Sequence, residues 1–192
     1  ALGIEVFHNF TLLHDDIMDD APLRRGLNTV HEKWSPNVAI LSGDTMLVQA
    51  YQLISEAPND VLKKSLDVFS KTAIEVCEGQ QWDMDFETRD DVTIIEYLKM
   101  IEYKTAVLLA AALKIGALTG RANHKQAQNL YEFGRNIGIA FQLKDDLLDV
   151  FGDQDKFGKQ LGGDILSNKK TYLYLKSLAI ADGKQKEELQ YW

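Results

Sequence analysis

The chain has 192 residues, of which 45% are hydrophobic and 26% are charged, and its formal net charge is -8. This length and composition predict a globular protein with a substantial core, and they exclude disordered and fibrous classes. The acidic balance disfavours a nucleic-acid partner, because phosphate backbones bind basic patches. No apolar run reaches the length of about 18 residues expected of a membrane span. The single cysteine, Cys77, excludes an intramolecular disulfide and indicates a reducing, cytoplasmic compartment, and we expect its side chain in the core.

The long stretches between proline and glycine breakers carry helical periodicity, so we expect an all-α chain. The residues before Leu13 are apolar-rich and have no N-cap, which predicts that the sequence begins inside a larger protein. Pro58 followed by Asn59 and Asp60 predicts a stop and a new helix, and either Asp91 or Thr93 caps the next one. In chain order, the predicted helices cover about 1–20, 38–56, 60–86, 93–120, 125–151 and 168–180, with loops over 26–36 and 152–164 and a charged tail after 180.

Two acidic clusters, Asp15–Asp20 and Asp145–Asp149, lie near the ends of the first and fifth predicted helices, and both contain Asp-Asp-x-x-Asp. Aspartates four residues apart share a helix face, where like charges repel. The C-terminal end of a helix is also negative, so each carboxylate there is disfavoured by about 0.3 to 1 kcal/mol. A bound cation compensates both effects. Oxygen ligands without a nearby His or Cys pattern indicate Mg²⁺, which bridges carboxylates to substrate phosphates.

The residues flanking each cluster predict a site that faces inward. Gln142, which precedes the second cluster, lies on the same helix face as Asp145 and Asp149. Apolar side chains such as Ile4 extend the helix face that carries the first cluster. A charged end above an apolar floor fits a molecule with an anionic head and an apolar tail. The stripe that leads to the first cluster comprises His8, Thr11, Asp15 and Asp19, and Phe7 extends it.

Basic residues follow both clusters. Arg24 and Arg25 lie in the loop after the first cluster. A guanidinium group at this position can bind two oxygens of a diphosphate at once. Lys104, followed by Thr105, interrupts an apolar helix, where an unpaired lysine is costly. Gly158-Lys159 and Lys169-Lys170 lie in or beside the loop after the second cluster, and we expect them to close over phosphates as a lid.

These motifs resemble those of the trans-prenyltransferases, also called polyprenyl or isoprenyl diphosphate synthases. Residues 13–26, LHDDIMDDAPLRRG, are similar to the first aspartate-rich motif of the family, and residues 141–149, FQLKDDLLD, are similar to its second. Gly43-Asp44, Lys104-Thr105, Gly158-Lys159 and the segment 164–171 also fall where the family places them. The resemblance implies the isoprenoid-synthase helical bundle with a central apolar cavity, as one catalytic domain over 1–192.

The resemblance also implies roles for individual residues. It implies a transferase that condenses isopentenyl diphosphate with an allylic diphosphate, head to tail in trans, and that pairs as a homodimer through the apolar helices 61–77 and 107–118. Asp15, Asp19 and Asp145 would ligate Mg²⁺ with help from Asp16 and Asp149, about three ions being held when diphosphate is bound. Arg24, Lys104 and Lys159 would hold the allylic diphosphate, Thr105 and Gln142 would flank the allylic carbon, and His8, Arg25 and Lys169 would contact isopentenyl diphosphate or nearby phosphates.

The sequence departs from the family in two places. Gly26-Leu27-Asn28-Thr29 stands where the family usually has Gly-Lys-Pro-Thr. The upstream Gly-Gly-Lys-Arg element, expected to bind isopentenyl diphosphate, and the usual C-terminal helices lie outside these 192 residues, so we expect condensation only from a longer protein.

Product length is predicted from the helix before the first motif. Phe7 lies eight residues before Asp15, about 12 Å down the same face at 1.5 Å per residue, where its ring would stop chain growth. The resemblance points instead to the aromatic residue five before the motif, Phe10, with Thr11 beside it. Together these features favour a geranylgeranyl (C20) product, with farnesyl (C15) second.

Three other functions remain open at this stage. A class I terpene cyclase shares the fold and the first motif, but its second metal motif is usually of the Asn/Ser/Glu type. A non-catalytic partner subunit of a prenyl diphosphate synthase usually lacks one aspartate motif, whereas both are present here. An acidic scaffold would bind cations without any dependence on diphosphate.

Overall fold

The computed structural model describes residues 1–152 and 162–191, and these residues form helices joined by one short hairpin. This confirms the all-α prediction. The elements are α1 Leu2–Met18, β1 Leu23–Arg24, β2 Leu27–Asn28, α2 Val30–Lys33, α3 Pro36–Ser55, α4 Asn59–Glu87, α5 Ile94–Ile101, a π-helix Glu102–Ala106, α6 Val107–Thr119, α7 His124–Phe151, α8 Gly163–Leu166, α9 Tyr172–Ile180 and α10 Gly183–Tyr191.

The chain divides into two compact units. The first comprises Ala1–Ile74 and Leu108–Gly134, and the second comprises Glu75–Val107 and the described part of Arg135–Trp192. The first aspartate motif lies in the first unit, and the second motif lies in the second unit. A single catalytic domain over 1–192 stays a prediction.

An aromatic core holds α1 in the first unit. The fully buried ring of Phe7 meets the edge of Phe69 at a centroid distance of 5.2 Å, and Phe69 meets Tyr51 at 4.9 Å. Edge-to-face pairs of this kind add attraction to the burial of apolar area. Helix α3 packs against α1, and Gly43 of α3 lies next to the imidazole ring of His14. Only glycine fits at this position, because a Cβ there would collide with the ring. The aspartate motif is therefore on a firmly packed helix.

A second hydrophobic cluster forms the core of the other unit, around α5 and α9. Thr93, rather than Asp91, caps α5: its hydroxyl accepts from the backbone N–H of Glu96, and the Glu96 carboxylate accepts from the backbone N–H of Thr93. Arg89 donates to the same carboxylate at 3.0 Å. The cluster contains Phe86, Val92, Tyr97, Met100, Ile101 and Leu175.

Several local predictions were wrong. Residues 26–36, predicted as a loop, include β2, α2 and the first residue of α3. The last predicted helix begins at Tyr172 rather than 168, because Thr171 supplies the N-cap, and the tail forms α10. Asp182 and Gln185 begin α10 by bonding each other's backbone N–H groups. Cys77 is exposed rather than in the core.

Of the predicted loop 152–164, residues 153–161 lie outside the described residues, and α8 begins at Gly163. Within 1–152 and 162–191, the helices lack the combination of length and apolar character that crossing a bilayer requires.

Candidate active site

The first aspartate motif occupies the last turn of α1 and the residues after it. Asp15 is half-buried, Asp16 is buried, and Asp19 follows the helix with its backbone N–H donating to the carbonyl of Asp15 at 2.9 Å. The structure therefore places these carboxylates at the negative end of the helix, as the sequence predicts.

The hairpin after α1 returns Arg24 to the motif. Its Nε donates to Asp16 Oδ1 at 2.8 Å, and its Nη2 lies 3.4 Å from Asp15 Oδ2. Burial opposes the charge, but the neighbouring carboxylates, Asp16 above all, raise the pKa of the Arg24 guanidinium above its usual value. The two turn residues, Arg25 and Gly26, both have positive φ, at 53° and 77°, as in the type I′ turns that close two-residue hairpins. Gly26 adopts this conformation without steric cost.

The second motif lies in the last turns of α7. Asp149 Oδ2 accepts from the backbone N–H of Asp164 at 3.2 Å. Burial, followed by the charges of Asp149, Asp146, Asp145 and Asp83, raises the pKa of Asp164 to about 7. Asp164 is therefore a buried carboxyl group that lies among several other carboxylates. Hard oxygen donors with this excess of negative charge fit Mg²⁺.

The middle aspartate of the second motif is buried and held by hydrogen bonds from two side chains. Asp146 is buried; its Oδ2 accepts from the hydroxyl of Tyr97, and its Oδ1 accepts from Nε2 of Gln142 at 3.0 Å. Burial raises the pKa of Asp146 despite these two hydrogen bonds. Gln142 Oε1 in turn accepts from the Thr105 hydroxyl at 3.0 Å. This chain of bonds fixes the amide of Gln142 with its oxygen toward Thr105.

Lys104 and Thr105 lie on the π-helix that interrupts the helix predicted over 93–120. Such single π turns widen a helix locally and are frequent at functional sites. Two glycines allow other helices to approach it: a Cβ on Gly79 would collide with the backbone of Lys104, and one on Gly138 would collide with Ala106. Lys104 therefore lies directly beside α4.

Asp83 pairs with Lys104 and Lys169, two of the lysines that the sequence assigns to phosphate binding. Lys104 Nζ lies 2.7 Å and Lys169 Nζ 2.9 Å from Asp83 Oδ2, and Lys169 also bonds Glu87 Oε1 at 2.6 Å. Burial opposes ionisation of Asp83, but the two ammonium groups hold the pKa of its carboxyl below its usual value. Sequence reasoning missed Asp83. Its signal is the position one helical turn after Gly79, where the close approach to Lys104 occurs.

The remaining predicted residues have these locations. His8 is half-buried on α1, the Thr11 hydroxyl donates to the His8 carbonyl at 2.8 Å, and Arg25 is exposed at the hairpin turn. Phe7 and Phe10 are buried, with ring centroids 5.4 Å apart. Lys159 lies outside the described residues. The structure brings together Arg24 with Asp15 and Asp16, Lys104 with Lys169, and Thr105 with Gln142.

The chain resembles archaeal prenyl diphosphate synthases in sequence. It is 50% identical over 177 residues to the geranylgeranyl diphosphate synthase of Methanosarcina mazei, which covers 91% of this chain and 55% of that protein. It is 48% identical to the geranylfarnesyl diphosphate synthase of Natronomonas pharaonis, covering 91% of this chain and 52% of that protein. The chain spans about half the length of the curated relatives it matches.

Solved structures agree with the fold. A crystal structure of a geranylgeranyl pyrophosphate synthase superposes with a TM-score of 0.94 at 56% identity, covering 99% of this chain and 57% of that one. The geranylgeranyl pyrophosphate synthetase from Pyrococcus horikoshii gives 0.92 at 42% identity, covering 98% and 58%. The polyprenyl synthetase family model matches residues 1–192. This chain therefore belongs to the polyprenyl synthetase family.

Proposed function

We propose that the protein containing this chain condenses isopentenyl diphosphate with an allylic diphosphate, in trans and head to tail, to give a short-chain prenyl diphosphate. The observation that carries the proposal is the group built on the π-helix, α4 and α7. Two lysines converge on Asp83, and the Thr105–Gln142 pair lies on the same π-helix and on α7. Cations for a diphosphate and oriented dipoles for a carbocation are the two requirements of this chemistry.

The aspartate motifs are proposed to hold Mg²⁺. Asp15 and Asp19, with Asp16 assisting, would hold ions from the first motif, and Asp145 and Asp149 from the second. Burial, and after it the charges of neighbouring carboxylates, raises the pKa of Asp164, and these neighbouring charges support the assignment because a divalent cation removes their repulsion. When bound, the ions neutralise negative charge on the departing diphosphate.

Basic side chains bind the same phosphate groups. Arg24 and Lys104, with Lys159, are proposed to hold the allylic diphosphate, while His8, Arg25 and Lys169 contact isopentenyl diphosphate or adjacent phosphates. Asp83 holds Lys104 and Lys169 before substrate arrives, so little side-chain entropy is lost when phosphate replaces or joins the carboxylate.

Gln142 and Thr105 are proposed to steady the allylic cation. Gln142 donates its amide N–H to Asp146, which Tyr97 also bonds, so the negative end of the amide dipole is held beside Thr105. Dipoles fixed in advance stabilise developing charge without reorganising.

The reaction balances without a redox partner. The bond from C1 of the allylic chain to oxygen breaks, and diphosphate leaves with the electron pair. The terminal carbon of isopentenyl diphosphate bonds to that C1, and its C2 loses a proton, which we assign to the departed diphosphate. Exclusion of water is required throughout, because water would capture the cation.

The partner and location are also proposals. Ile74 on α4 and Leu113 on α6 are exposed apolar residues in the two segments that the family resemblance assigns to pairing, which supports a homodimer. The single cysteine supports a reducing, cytoplasmic location. Analytical ultracentrifugation of the full-length protein tests the dimer, and a monomer at micromolar concentration would contradict it.

The decisive experiment is an incorporation assay on the full-length protein. It is incubated with Mg²⁺, labelled isopentenyl diphosphate and, in turn, dimethylallyl, geranyl or farnesyl diphosphate. We expect label in a C20 product, and the geranylfarnesyl relatives make C25 the longer outcome to look for. Absence of incorporation from all three starters would overturn the proposal, and a cyclised hydrocarbon would identify a terpene cyclase instead.

Product length provides a separate prediction. We expect Phe7→Ala or Phe10→Ala to lengthen the main product by one or more five-carbon units, because each removes a ring from the helix that leads to the first motif. Radio-chromatography of the hydrolysed products measures the shift. Both rings are buried, so each truncation is also expected to lower the free energy of unfolding by about 3 to 5 kcal/mol.

The matched control is Phe86→Ala. Phe86 is equally buried but belongs to the core cluster around α5, so its truncation should lower stability and leave product length unchanged. Unchanged product lengths in both the Phe7 and the Phe10 variants would refute the assignment.

A further inference from the structure

A third group of ligand-type side chains lies beside the hairpin and has no role in the proposed reaction. Asp20, His31 and Glu32 each offer one ligand atom, and these atoms all lie within 4.8 Å of one another. Asp20 follows α1, whereas His31 and Glu32 lie on α2, so the hairpin that carries Arg24 runs between them in the chain. Thr29 holds the two segments together, because its hydroxyl donates to the carbonyl of Ala21 at 2.7 Å.

His31 gives independent evidence of a ligand. Its side chain is 5% exposed, and neither ring nitrogen has a hydrogen-bond partner among the residues that the structure describes. A buried polar group without a partner is destabilising, and such groups in folded proteins indicate a function or a bound ion. The ring presents Nε2 toward Glu32, whose Oε1 lies 3.9 Å away.

We propose that Asp20, His31 and Glu32 bind a divalent transition-metal ion, with Zn²⁺ the best match. One imidazole nitrogen and two carboxylate oxygens form a borderline donor set, which suits Zn²⁺ better than Mg²⁺. Two carboxylate groups beside a buried imidazole are also a donor set that a divalent cation can bind. Water fills the fourth tetrahedral position.

Small side-chain movements complete the site. Zinc bonds of about 2.0 to 2.2 Å in a tetrahedron place ligand atoms about 3.3 Å apart. The atoms here are spread over up to 4.8 Å, and Asp20 and Glu32 are exposed, so their carboxylates can rotate toward the fixed imidazole.

The ion would act as a clasp for the hairpin. Bound to Asp20 at one end and to His31 and Glu32 at the other, it closes the segment that contains Arg24 and Arg25. A link between the two ends of a segment reduces the number of conformations that the opened segment can adopt. The hairpin is therefore expected to open less often when the ion is bound. The ion would therefore help to keep Arg24 in position against Asp16.

Zinc binding by the full-length protein tests the inference without any substrate. Isothermal titration with Zn²⁺ is made in millimolar Mg²⁺, which occupies carboxylate-only sites, and Co²⁺ is used in parallel for its visible absorption. We expect one tight Zn²⁺ per chain, weakened about 100-fold or more in Glu32→Gln and in Asp20→Asn. Tetrahedral Co²⁺ bands should disappear in the same variants.

Matched controls separate this site from adventitious binding. Glu56→Gln and His124→Gln replace exposed residues of the same types and should retain wild-type affinity. His31→Gln should also abolish tight Zn²⁺ binding. If that variant does not fold, the Glu32 and Asp20 variants, whose side chains are exposed, decide the outcome. Equal Zn²⁺ affinity in those variants and the wild type, or the absence of tight Zn²⁺ binding, would overturn the inference. Because no turnover is measured, this result is independent of the proposed prenyl transfer.

Discussion

Replacing Asp15 or Asp145 by alanine is expected to lower the turnover of the full-length protein by about 1,000-fold or more. Each substitution removes a proposed Mg²⁺ ligand from one motif, so negative charge on the departing diphosphate is no longer neutralised. Steady-state incorporation of labelled isopentenyl diphosphate at saturating substrate measures the change. Removing Mg²⁺ from the wild-type protein with a chelator should have the same effect, reversed when Mg²⁺ is restored.

The control for this prediction is Asp67→Ala. Asp67 is an exposed aspartate on α4 whose carboxylate pairs with Lys63, so its loss should leave turnover unchanged. Thermal unfolding and circular dichroism establish that the inactive variants are folded. Wild-type turnover in either motif variant would contradict the metal assignment for that motif.

Replacing Asp83 by alanine is expected to reduce kcat/KM for the allylic diphosphate by about 100-fold. Asp83 does not need to touch substrate for this effect, since it positions Lys104 and Lys169, and small displacements of binding groups have effects of this size. We also expect the free energy of unfolding to fall by about 2 kcal/mol, because charge-assisted hydrogen bonds to a mostly buried carboxylate are lost.

Asp85→Ala is the matched control for Asp83. It lies on the same helix, is exposed, and accepts a hydrogen bond from the Gln81 side chain, so its loss should change neither parameter appreciably. A double-mutant cycle with Lys104→Ala separates positioning from mere stability. The activity losses of Asp83→Ala and Lys104→Ala should be strongly non-additive, whereas additive losses would show that Asp83 does not act through Lys104.

The sequence predicted the fold class because helical periodicity and proline breakers are local signals. The cap at Thr93 and the start of α4 after Pro58 were within reach for the same reason. It also identified both aspartate motifs, since carboxylates four residues apart at a helix end are costly without a cation, and this argument needs no tertiary information. Family membership follows from those motifs and is confirmed by the family match.

Local sequence patterns did not predict two elements, the hairpin after the first motif and the π-helix. The hairpin at Leu23–Asn28 depends on positive φ at Arg25, a conformation that a non-glycine residue adopts only when its surroundings require it. The π-helix at Glu102–Ala106 reads as an ordinary helix in the sequence, because one extra residue per turn leaves no composition signal.

What the sequence by itself determined is therefore the set of helices, the two acidic motifs and the family, because each is encoded in neighbours a few residues apart. Only the tertiary structure decided which polar side chains meet: Asp83 with Lys104 and Lys169, Tyr97 with Asp146, and Asp20 with His31. These partners are separated by 11 to 86 residues, and close helix packing at glycines such as Gly79, rather than any local pattern, brings Lys104 to α4 and so to Asp83.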